Sequence, residues 1–85
     1  MKPSGFQVTC ANKNQNGTIV RVGGQNWSLS HYDAIFKLNE NQLRLYILIG
    51  NDYFDIGVRG DGREAYLALE PDGRALHDID GLISC

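Results

Sequence analysis

Apolar and polar positions alternate along most of the chain. Phe6, Val8 and Cys10 set against Gln7, Thr9 and Ala11 give the period-two pattern of a half-buried strand. Residues 18–22 are β-branched apart from Arg21 and predict its hairpin partner, with the polar stretch 12–17 as the connection and Gly17 suited to a positive φ. Gly23 and Gly24 are expected to end this second strand. A third strand follows from Leu43, Leu45, Ile47 and Ile49 alternating with Arg44, Tyr46 and Leu48. Gly50-Asn51-Asp52 then predicts a turn into a fourth strand, in which Phe54, Ile56 and Val58 alternate with Tyr53, Asp55, Gly57 and Arg59.

One segment has helical spacing instead. Ser30 stands three positions before Asp33, a capping-box arrangement with Asp in place of Glu. Tyr32, Ile35, Phe36 and Asn39 follow the helical period, widened by Ala34 and Leu38. A helix of about ten residues is unstable alone, so it is expected to pack on the sheet, with Trp27 filling the gap between them. Residues 64–70 fit a helix by composition and a strand by alternation and length, and pattern alone leaves both open. The tail, with Leu76, Ile79, Leu82 and Ile83 at irregular spacing, predicts a short turn against the core. No repeat or linker divides the chain, so residues 1–85 are expected to form a single domain.

Composition narrows the picture. Ten glycines in 85 residues with 42% hydrophobic residues suit a small turn-rich β fold. A formal charge of −2 argues against a domain dominated by phosphate-backbone contacts. The first residues lack the apolar run of a signal peptide, and the longest apolar stretch, near 45–49, is far short of the roughly 20 residues that cross a bilayer. A cytoplasmic location, no membrane association and free thiols at Cys10 and Cys85 are therefore the expectation; two widely spaced cysteines do not form a secreted disulfide framework.

Tyr66-Leu67, Glu70, Asp72-Gly73, Ile79, Leu82 and Cys85 resemble the ending of a small bacterial family that closes on Tyr-Leu-Thr-Thr-Glu-x-Asp-Gly…Asn-Leu-x-x-Leu-Pro-x-Cys. Val8-Thr9-Cys10, Ile19, Gly23-Gly24, Trp27, Leu29 and Ala34-Ile35 match the family's start in order and spacing. The family is identified as domain of unknown function 3892. Ala68 and Leu69 stand where it often has threonines, Ile83 replaces a proline and His77-Asp78 an Asn pair. The resemblance implies a strand for residues 66–69, because the threonine-rich version favours β structure. It implies no activity.

The expected fold is thus α+β: a small antiparallel sheet in the order β-β-α-β-β-β, one helix on one sheet face, and a C-terminal turn. Gly60-x-Gly62-x-x-Ala65 lacks the chain length for a dinucleotide-binding unit. Arg59-Gly60-Asp61 matches an adhesion tripeptide by coincidence, and Asp80-Gly81 with His77 and Asp78 lacks the spacing of a calcium loop. His31, His77, Cys10 and Cys85 could supply four zinc ligands on paper but are not paired at zinc-like spacing. No serine lies in a nucleophile elbow, and Cys10 reads as a buried hydrophobe. The chain is expected to be non-enzymatic and free of metal or cofactor. Its candidate binding surface is the outer sheet face, with Arg44, Tyr46, Tyr53 and Arg59, and the altered tail at His77. Protein contact or self-association is the preferred use of that face. The alternative is weak nucleic-acid binding through its aromatic and arginine side chains.

Overall fold

In a computed structural model, residues 4–79 and 82–85 are described. Among the described residues the fold is α+β with one helix and seven strands: β1 (Phe6–Gln7), β2 (Cys10–Lys13), β3 (Ile19–Gly24), β4 (Trp27–Ser30), α1 (His31–Asn39), β5 (Leu45–Ile49), β6 (Asp52–Arg59) and β7 (Tyr66–Glu70). Short 3₁₀ turns cover Gly62–Glu64 and Leu76–Asp78. The strands form two sheets rather than the single one expected, ordered β1-β5-β6-β7 and β2-β3-β4.

The alternating stretch at 6–11 is where the two sheets meet. Its first half pairs parallel with β5, Phe6 opposite Leu45, while its second half pairs antiparallel with β3, Ala11 opposite Val22. Val8, at the crossing, is 1% exposed. Gly23 and Gly24 are the last two residues of β3, as expected. They pair with Ser28 and Trp27 of β4, and the chain reverses at Asn26, which takes a φ of 68°. Trp27 meets Phe6 edge to face, with centroids 5.8 Å apart, so it closes the seam between sheets.

The hairpin of β5 and β6 has the expected register, Leu45 opposite Ile56 and Ile47 opposite Phe54, around a Gly50-Asn51 turn with Gly50 at φ 63°. Residues 66–70 are a strand, as the resemblance implied, paired with β6. The Ser30 hydroxyl accepts the Asp33 N–H at 3.2 Å and caps α1. The helix buries only part of the stripe expected of it. Ala34 is fully buried, with Ile35 and Leu38 partly so, whereas Tyr32 is 83% and Phe36 56% exposed. The helix packs against β3, β4 and β6, and its one fully buried residue is its smallest, whose short side chain lets the backbones approach.

Leu45, Leu67, Leu69 and Leu76 fill the core, together with Val8, Ala11, Ile19, Val22, Ile47, Ile56 and Ile79. The tail returns along β2: Ala11 N–H donates to Ile83 O at 2.9 Å, and Cys85 N–H donates to Asn12 Oδ1 at 2.8 Å. This brings Cys10 and Cys85 to a Cα separation of 5.0 Å, within disulfide reach, and they are bonded. The expectation of free thiols is thereby corrected. A Cβ at position 23 would lie 3.1 Å from Cys10 Sγ and 3.3 Å from Cys85 Sγ, so Gly23 makes room for the bridge.

Two outcomes follow for stability. Leu76→Ala should cost about 2–5 kcal/mol, since Leu76 is 0% exposed, and denaturant unfolding will read the loss. Opening the bridge, which closes a sequence separation of 75, should cost up to about 4–5 kcal/mol in the chain-entropy picture. A Cys10→Ser/Cys85→Ser protein with an unchanged denaturation midpoint would refute that assignment.

Candidate functional site

The strand register does place Tyr46, Leu48, Tyr53, Asp55 and Arg59 on one side of the sheet, as alternation predicts. The tyrosine pair at its centre is nonetheless covered, while Leu48, Asp55 and Arg59 remain exposed. Tyr46 is only 3% exposed, and the half-buried Tyr53 packs edge-on against it at 5.7 Å. The expectation of Tyr46 as an open contact residue is corrected: the Tyr53 ring packs on it and β1 pairs beside it. Arg44 is 3.7 Å from Asp55. Arg59 Nη2 donates to Glu70 Oε2 at 2.6 Å and Nε donates to Oε1 at 3.2 Å, with Nη2 also reaching Pro71 O at 3.3 Å. Gly57 and Gly73 leave space for this pair, since a Cβ at either would lie 2.9 Å from Glu70 Oε1 or from Arg59 Nη1. The guanidinium holds the Glu70 carboxyl below its ordinary range, and Glu70 raises Arg59 in turn. Both arginines of the expected face are therefore occupied.

His77 lies elsewhere, in a groove of about 360 Å³ that sequence spacing did not reveal. One wall is the start of α1, with His31, Tyr32 and Ile35. The opposite wall is the 3₁₀ turn at Gly62–Glu64 and the head of β7, with Arg63, Glu64 and Tyr66, and His77 comes from the second 3₁₀ turn. Ile19 and Leu67 contribute to its apolar lining. The groove thus gathers both histidines of the chain from distant points in the sequence. Its rings stand in two edge-to-face pairs, His31 with Tyr32 at 6.0 Å and Tyr66 with His77 at 6.2 Å.

The second 3₁₀ turn is fixed from both sides of the chain. Lys13 Nζ donates to His77 O at 2.7 Å, and Leu76 is sunk in the core. His77 Nε2 lies 3.7 Å from Asp78 Oδ1. Burial, followed by the nearby His77, lowers the His31 pKa below the ordinary histidine value. Arg63 has no ion-pair partner among the described residues. The on-paper zinc quartet is half dismantled: its histidines converge, but its cysteines are committed to the bridge. Among the described residues no cluster of three or more His, Cys, Asp or Glu could hold a metal ion, and Asp80 and Gly81 lie outside the described residues.

Fold and groove together define a small two-sheet α+β domain with a histidine- and tyrosine-lined cleft on its helical side. No protein-family model, curated protein or solved structure matches the chain.

The lowered His31 value fixes a sign for stability against pH. The folded state holds this proton less tightly than the unfolded state, so the penalty is absent above the ordinary histidine range near 6.5. It grows as pH falls through that range towards the lower folded value. Denaturation midpoints measured from about pH 8 to pH 5 should fall less steeply for His31→Gln than for the parent. Identical slopes would contradict the placement of His31.

Proposed function

We propose that this chain is a non-enzymatic binding module that holds a short segment of a partner protein in the groove between α1 and the two 3₁₀ turns. The observation that carries the reading is the exposed aromatic run beside the groove. Tyr32, 83% exposed, and Phe36, 56% exposed, stand one helical turn apart, and Tyr32 continues into the groove wall with Tyr66, His31 and His77. Such rings give large contact area for few rotatable bonds, the usual composition of a recognition surface. The volume suits a few residues of extended chain rather than a folded surface.

The sheet face has less support as the contact. Its arginines are paired, and two sheet edges carry backbone pairing, β2 at Ile83 and β7 at Arg74 and Ala75. Pairing at those two edges disfavours self-association through them. The same ion pairs leave little free positive charge for a nucleic-acid backbone. The likeness to domain of unknown function 3892 is kept as part of the proposal and adds no chemistry to it. No described helix is long and apolar enough to cross a membrane. The Cys10–Cys85 bridge favours an oxidising compartment over the cytoplasm expected from the first residues, because intracellular thiol pools keep such pairs open.

Selection of a random-peptide library on the disulfide-bonded protein tests the reading. Selected peptides should lose about tenfold or more in affinity on Tyr32→Ala or Tyr66→Ala, the loss expected of an aromatic hot spot. Tyr32 is exposed enough to be removed without unfolding the domain. Peptides whose binding ignores both substitutions, or a library that yields no binder, would overturn it.

A further inference from the structure

Residues 82–85 lie along β2 with little packing to hold them. Leu82 is partly buried, but Ile83 is 67% exposed, and Ser84 and Cys85 are exposed as well. Among the described residues two hydrogen bonds reach this tail, Ala11 N–H to Ile83 O at 2.9 Å and Cys85 N–H to Asn12 Oδ1 at 2.8 Å. Two such bonds at the surface do not offset the entropy of ordering four residues, so the Cys10–Cys85 bond is what keeps the tail in place. The chain just before it is anchored independently. Leu76 is fully buried, Ile79 is 8% exposed, and Lys13 Nζ donates to the His77 carbonyl of the same turn. The two halves of the bridge also differ. Cys10 is half-buried in β2 beside the buried Ala11, whereas Cys85 is exposed on the tail itself.

We propose that this bond is a reversible redox latch: a thiol reductant enters at Cys85, and opening the bond releases residues 82–85 from β2 while the rest of the domain stays folded. Thiol–disulfide exchange begins with a thiolate attacking one sulfur, and access decides which. The incoming thiolate forms a new S–S bond to Cys85, the Cys10–Cys85 bond breaks, and Cys10 leaves as a thiolate that takes a proton from solvent. A second thiolate then attacks the reductant's own sulfur and displaces Cys85, which is protonated in turn. The protein gains two electrons and two protons, and the reductant leaves as its disulfide. Release takes the partner from the outward Ala11 N–H and uncovers that edge of β2, and an uncovered edge is a template for a further strand. The groove at α1 has no part in the device, so the two readings stand or fall separately.

Two measurements on the full oxidised chain test the latch. The first is brief treatment with reduced glutathione, a quench with excess N-ethylmaleimide, and mass spectrometry of the separate tryptic peptides that carry the two cysteines. Glutathione should be found chiefly on Cys85 and N-ethylmaleimide on Cys10; the reverse pattern, or no adduct, overturns the entry point. The second is amide hydrogen exchange by NMR before and after full reduction with dithiothreitol. The Ala11 amide should exchange at least about tenfold faster relative to the Val8 and Leu69 amides, whose acceptors are Tyr46 O and Arg74 O, and reoxidation should restore it. Cys85→Ser should show the same pattern without reductant, and the reduced parent protein gives the reading should that variant fail to fold. Equal acceleration of Ala11 and Val8, an unchanged Ala11 amide, or loss of the fold on reduction overturns the latch.

Discussion

Residues 6–13 form one stretch of extended backbone that has to satisfy two sheets. Phe6 and Val8 donate their N–H groups to Arg44 and Tyr46 of the β5 side at 2.9 and 2.8 Å, and Thr9 then turns to Gly23 of β3 at 2.9 Å. A buried backbone donor without a partner costs about as much as a lost hydrogen bond, so this transfer permits little variation in register. Beyond the crossing, Ala11 donates outward to Ile83, which ties the tail to β2, and the Cys10–Cys85 bond locks that arrangement. The groove inherits this rigidity. Lys13, at the end of the same strand, holds the His77 carbonyl, so one groove wall is attached to the segment that joins the sheets.

Local chemistry was legible where a few consecutive residues decide it. The Ser30–Asp33 cap, the Gly50-Asn51 turn and the β5–β6 register all depend on contacts within a hairpin or a helical turn. β4 escaped because Gly23-Gly24 reads as a stop, and four residues of Trp27–Ser30 give too little alternation to outweigh it. Tyr66–Glu70 was undecided by propensity, since Ala, Leu and Glu favour helix; pairing along β6 settles it as a strand. The helix face is legible only in part, for a different reason. Apolar type groups Tyr32 and Phe36 with Ala34, Ile35 and Leu38, but only the last three pack on the core, and sequence pattern carries no measure of distance.

What sequence could not supply was convergence. Neither the disulfide nor the groove follows from spacing, because each depends on how far the tail folds back. His77 was singled out as an altered tail residue, and His31 only as one member of an unlikely zinc set. Their meeting across α1 and the second 3₁₀ turn requires Leu76 to sink into the core beside them. By contrast, Tyr46, Tyr53, Arg44 and Arg59 were grouped correctly by alternation, yet alternation assigns a face without saying whether that face is covered.

The comparison of these two surfaces decides which is suited to a guest. On the sheet, Arg59 already has a carboxylate with two hydrogen bonds and a carbonyl, and glycines at 57 and 73 clear space for that internal pair. Any ligand there must first break a charge-assisted contact and leave Glu70 uncompensated. In the groove the order is reversed. Arg63 is unpaired among the described residues, and the proton on His31 is disfavoured by burial and by His77. A guest at Arg63 would not have to displace an existing ion pair. The two surfaces carry similar residue types, and the difference between them lies in which charges the fold has already satisfied.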